Sequence, residues 1–132
     1  MLPCFEIDLM TNILLVGMGG FVGSVLRYWL FDLLRGVGRV PAGTLVVNTV
    51  GCLMIGLFGG WADNHDLLSQ PARLFLMIGI LGGFTTFSAF GYETMGLARN
   101  GEFLGAMLNV MLHVLLGLIA VWIGLRLSLI RA

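Results

Sequence analysis

The amino-acid sequence predicts an all-α integral membrane protein with four transmembrane helices, the third of them broken near mid-membrane. Three observations carry that reading. Of the 132 residues, 58% are hydrophobic and 11% charged, whereas a soluble domain carries about 25% charged residues; the mean hydropathy is +1.00. The apolar residues fall into four runs separated by short polar stretches, and about 20 such residues cross a hydrocarbon core. The third run, Pro71 to Arg99, would be roughly 43 Å long as one helix, against a core of about 30 Å, so it must tilt strongly, bend or break. The length allows a single domain, residues 1–132, with short connections.

Taken in order, Met1 to Met10 reads as a short mixed leader, frayed at the surface. It carries Glu6 and Asp8 in place of a basic n-region, which argues against a cleaved signal peptide and for a retained first span. Met10-Thr11-Asn12 opens directly onto that span, so Met1 to Leu9 is expected to be dispensable. Span one covers residues 12–34; Gly19-x-x-x-Gly23 permits close helix approach, and Gly17, Gly20, Ser24 and Arg27 share a face. Two glycines, two arginines and Pro41 make residues 35–41 a turn.

Span two covers residues 43–62, with Thr44, Asn48 and Cys52 recurring every fourth residue on one face. Asp63-Asn64-His65-Asp66 is a polar loop, and His65 in it reads as solvated. Span three covers residues 71–98 and contains Gly79-Ile80-Leu81-Gly82-Gly83-Phe84-Thr85-Thr86-Phe87-Ser88-Ala89-Phe90. Gly82-Gly83 is the cheapest place for it to leave helical dihedrals; a kink made only for packing is the plainer alternative. Carbonyls freed at a break must be satisfied by protein, water or an ion. Arg99-Asn100-Gly101-Glu102 is the next turn. Span four covers residues 103–127, with Asn109, His113 and Gly117 along one face and Arg126 and Arg131 anchoring its end.

Several function classes are excluded. A net charge of zero with no basic run argues against a nucleic-acid partner. Cys4 and Cys52 lie far apart with no CxxC spacing and no Cys/His cluster, so neither a disulfide nor a zinc site is expected. The chain has no nucleotide-binding loop and no catalytic triad, and it is not read as an enzyme.

The remaining polar and aromatic residues each have two readings. Arg27 either snorkels to the headgroups or makes an electropositive vestibule for anions. Asn48 is either glue between helices or a source of N–H donors without full charge, which an anion path needs if the ion is to leave again. Phe87 and Phe90, three apart on one face, either meet lipid and core or turn their partially positive ring edges towards an anion. Thr86 and Ser88 would add hydroxyl donors beside them, with Thr44 on the Asn48 face. His113 reads as a packing or interhelical hydrogen-bonding group in preference to a proton carrier, and Glu93 as paired or near the interface.

Gly82-Gly83-Phe84-Thr85-Thr86-Phe87-Ser88-Ala89-Phe90 resembles the GG-x-TTFSTF signature of the CrcB/Fluc fluoride channels. Gly43-Thr44-Leu45-Val46-Val47-Asn48 resembles the family's GTL-x-x-N, and Gly19-Gly20-Phe21-Val22-Gly23-Ser24-Val25-Leu26-Arg27-Tyr28 its Gly-rich first span. The match covers residues 12–130 in order and spacing. The resemblance implies a fluoride-selective channel in the inner (plasma) membrane that lets cytoplasmic fluoride leak out. It further implies a dual-topology antiparallel homodimer in the lipid bilayer, with a structural sodium ion at its centre. In that reading Asn48, Phe87 and Phe90 line the fluoride path with Thr86, Ser88 and Thr44, Arg27 stands at its mouth, and the backbone carbonyls of Gly82 and Thr85 hold the sodium ion. Ala89 stands where the signature has threonine, and Gly117 where some members have serine. A secondary exporter like the small multidrug-resistance proteins would need a carboxylate in the first span, and residues 12–30 contain none. A non-transporting membrane subunit would explain the small-residue spacing but not the clustered polar groups. Four spans put Arg73, Arg126 and Arg131 on one side and Arg35, Arg39 and Arg99 on the other, with Arg27 near the latter. The positive-inside bias is therefore almost absent, and insertion in both orientations is expected.

Overall fold

A computed structural model describes residues 3–34, 41–64 and 68–131. Helix α1 (Pro3–Leu33) is followed by α2 (Ala42–Asn64). The third segment begins as α3 (Gln70–Arg73), widens into a π-helical stretch Leu74–Leu81, tightens again as α4 (Gly82–Phe84), and resumes as α5 (Phe87–Arg99). Helix α6 (Phe103–Ser128) ends in a single 3₁₀ turn, Leu129–Arg131. Four stretches are long and apolar enough to cross a membrane, namely Asp8–Leu33, Ala42–Asp63, Gln70–Arg99 and Phe103–Ser128. Of the expected turn at residues 35–41, residues 35–40 lie outside the described residues, as does His65.

The leader differs from expectation: residues 3–10 continue α1. Pro3 sits in the first turn, where its missing N–H costs nothing, and no breaker follows it before the first apolar run. The turn between α5 and α6 is made by Gly101 at φ +80°, a conformation that glycine adopts without penalty.

The helices pack mainly as two pairs, α1 against the third segment and α2 against α6. Small residues make both seams. A Cβ at Gly19 or Gly23 would overlap the carbonyls of Phe75 or Ile80, and one at Gly56 or Gly124 those of Val121 or Leu53. Lipid tails are as apolar as leucine, so helices in a bilayer gain by close backbone approach and hydrogen bonding rather than by burying hydrocarbon. The interior follows that logic. Its largest fully buried side chains are Val47, Asn109, Thr44 and Ser128, three of them polar, while Phe21, Trp29, Leu118 and Trp122 are exposed.

The third segment leaves helical dihedrals at Thr85 (φ −81°, ψ 155°) and Thr86 (φ −150°, ψ 111°). The expected position, Gly82-Gly83, is corrected: Gly82 keeps φ −63° and ψ −38°, and both glycines lie in α4. Gly83 is needed for proximity rather than freedom, because a Cβ there would stand 2.5 Å from the Gly20 carbonyl oxygen and 3.0 Å from the Gly20 Cα. Threonine is β-branched and fits extended dihedrals well. Two threonines therefore accept the departure that the glycines do not make.

Candidate functional site

The extended residues are held by a side chain 38 positions away. Thr86 N–H donates to Asn48 Oδ1 at 2.9 Å, and Asn48 Nδ2 donates to the Thr86 carbonyl at 3.1 Å. The carboxamide of α2 thus acts as a surrogate peptide group, pairing both backbone groups of a residue that is only 9% exposed. Thr86 also starts α5, its Oγ1 accepting from Ala89 N–H at 3.2 Å. Ser88 Oγ lies 3.1 Å from the same hydroxyl. Thr85 remains tied to the preceding turn, its N–H and Oγ1 both donating to the Leu81 carbonyl at 3.0 and 2.8 Å. Its methyl group packs where a Cβ on Gly51 would stand.

Around this pairing lies a cavity of about 440 Å³ between α2, the third segment and α6. Asn48, Cys52, Gly82, Thr85, Thr86, Phe87, Phe90 and His113 contribute to its wall. One Asn48 N–H is used on Thr86, and an amide NH₂ carries two. Among the described residues, the wall contains no carboxylate and no arginine. Phe87 and Phe90 stand 5.4 Å apart between ring centroids at 52°, and Phe90 is tilted against the His113 ring at 4.5 Å. Phe87 is 82% exposed in the single chain.

Of the residues singled out from sequence, Asn48, Gly82, Thr85, Thr86, Phe87 and Phe90 meet at this cavity. Thr44, Ser88 and Arg27 are not in its wall. Thr44, 1% exposed, donates its hydroxyl to the Glu93 carboxylate one helical turn before Asn48. Arg27 is half-buried on α1. The Thr86 hydroxyl caps α5 as an acceptor and keeps its own proton for donation. His113 does more than pack: its Nδ1–H donates to the Asn109 carbonyl at 2.9 Å, within its own helix, and its ring reaches the cavity. Cys52 and His113 were absent from the expected set, although each lies four residues beyond a residue already singled out, Asn48 and Asn109. Gly117 faces Cys52, a Cβ there standing 3.4 Å from the Cys52 sulfur.

The donor set at Gly82 and Thr85 suits a hard cation. Hard cations take oxygen ligands. In an unbroken helix Thr86 N–H would donate to the Gly82 carbonyl, and here it is diverted to Asn48. Gly82 is exposed, with nothing within 4 Å of where a Cβ would be.

Comparison with known proteins shows the family. The family model described as CrcB-like protein, Camphor Resistance (CrcB), matches residues 14–125. A protein of Oceanobacillus iheyensis named as a fluoride-specific ion channel is 39% identical over 120 residues, which is 91% of this chain and 93% of the relative. Proteins of the same name from Geobacter sulfurreducens and Elusimicrobium minutum are 48% and 46% identical, covering 88% of this chain and 95% and 92% of their own lengths. This four-span chain belongs to the CrcB-like family of membrane ion channels and is not an enzyme.

Proposed function

We propose that the chain forms a fluoride-selective channel giving passive efflux of cytoplasmic fluoride across the inner (plasma) membrane, and so fluoride resistance. The observation that carries this reading is the cavity wall, where a carboxamide N–H, two phenylalanine rings and, among the described residues, no charged carboxylate or arginine meet beside the extended residues. A small anion there would meet many weak donors. A fixed cation would hold it, whereas neutral amides and ring edges let it leave. The polar path continues with Ser88, and Arg27 attracts anions at the mouth.

The working unit is an antiparallel homodimer of oppositely inserted copies, with the third span interrupted near mid-membrane. The near-even arginine tally supports dual insertion. The exposed Phe87 ring and Gly82 backbone supply a surface for the second copy. A structural sodium ion would be held by the Gly82 and Thr85 carbonyls of both copies, supplying positive charge that ties the carbonyl dipoles of the two chains together.

Purified protein in liposomes, loaded with fluoride or chloride and kept without a pH gradient, tests the reading. Fluoride efflux under a membrane potential, without comparable chloride efflux, is expected. Efflux only with a proton gradient would mean an exporter, and none at all a non-transporting subunit. Sodium removed from both sides should diminish flux slowly, and stoichiometric movement of labelled sodium with fluoride would overturn the structural role.

A further inference from the structure

We infer that Thr94 and Asn109 are positioning residues for Phe90, setting the ring on which the proposed anion path depends; the inference rests on that reading of the cavity. The observations form one connected chain. Thr94 Oγ1 donates to the Phe90 carbonyl at 2.8 Å, and Asn109 Nδ2 donates to Thr94 Oγ1 at 2.8 Å. A hydroxyl has a single proton. Because a carbonyl only accepts, that proton goes to Phe90, and Thr94 must accept from Asn109. The order of donors along α6, α5 and the first turn after the extended residues is therefore fixed.

Asn109 is 0% exposed, and its Oδ1 has no partner among the described residues. A buried amide with one end unpaired is costly as mere packing, which favours a specific use for the other end. The same α6 residue ties the ring as well as the backbone: its carbonyl accepts from His113, and the His113 ring lies 4.5 Å from Phe90. Phe90 is thus held through its carbonyl by Thr94 and through its ring by His113, and both holds converge on Asn109. None of the described contacts places Thr94 or Asn109 in the cavity wall, so they act through Phe90.

The test uses the full-length channel in liposomes, with 4-fluorophenylalanine at position 90 for ¹⁹F NMR in parallel samples. Thr94→Val, which keeps shape and loses both hydrogen bonds, is expected to slow fluoride efflux by about three- to twentyfold, the range one interhelical hydrogen bond commands in a membrane protein. It should also shift or split the ¹⁹F signal. Thr94→Ser, which keeps the hydroxyl, should restore both towards wild type. Slowed efflux with an unchanged ¹⁹F signal would reduce Thr94 to glue and overturn the inference, as would unchanged efflux. Should Thr94→Val fail to assemble, Asn109→Ala takes its place under the same two readouts. Wild-type efflux in both Phe87→Ile and Phe90→Ile would instead sink the ring-edge reading of the pathway, and this inference with it.

Discussion

Replacing Asn48 by alanine should damage the protein twice over, and the two losses can be measured separately. The substitution removes the side-chain partner of both the Thr86 N–H and the Thr86 carbonyl, a 2.9 Å and a 3.1 Å hydrogen bond at a residue only 9% exposed. Interhelical hydrogen bonds in membrane proteins average about 0.6 kcal/mol and reach about 1.7, so two of them should hold the extended residues with about 1–3 kcal/mol. Alanine leaves no side-chain group to replace them, and the Thr86 N–H would regain the Gly82 carbonyl only by rewinding the segment into a longer helix. Efflux should fall by at least about tenfold, since the path loses the remaining Asn48 N–H as well as the shape that Asn48 maintains. The assays are fluoride-electrode efflux from proteoliposomes and reversible unfolding in detergent. Lowered stability with unchanged efflux would leave Asn48 as helix glue. Wild-type stability would refute the claim that it holds the extended residues.

Phe87→Ile and Phe90→Ile should each cut fluoride flux severely while the protein stays folded and dimeric, as size-exclusion chromatography would report; if both conduct like wild type, ring edges are not used. Gly23→Ala would place a Cβ against the Ile80 carbonyl and 2.8 Å from the Phe84 nitrogen, both rigid backbone atoms. It should cost about 1–3 kcal/mol or more and abolish assembly. Gly82→Ala meets nothing within 4 Å in the single chain; it should leave protomer helicity by circular dichroism intact yet weaken dimerisation, and an undisturbed dimer would argue against the axial cation site. Single cysteines at Arg39 and Arg131, in a Cys4- and Cys52-free background, should each label partially with an impermeant thiol reagent on intact cells. Full labelling at one site and none at the other would mean a single orientation.

Hydropathy alone determined that four helices cross the membrane. Water and hydrocarbon sort side chains so strongly that runs of this length and composition admit few other states. The excess length of the third run also announced that it must tilt strongly, bend or break, and the Gly19-x-x-x-Gly23 spacing foretold a close seam without naming its partner. Where the run departs from helical dihedrals was not legible. Local propensity points to Gly82-Gly83, but Gly83 is claimed by contact with Gly20, and the departure moves to Thr85 and Thr86, where Asn48 can satisfy the freed backbone. That choice joins residues 38 apart in the chain. Likewise, the Thr86 hydroxyl became a cap, His113 joined the cavity through the Phe90 ring, and Asn109 gave its amide to Thr94. Sequence reports what each residue can donate, accept or displace. Only the packed structure decides which partner is within 3 Å, because a hydrogen bond falls off too steeply with distance and angle for chain order to specify it.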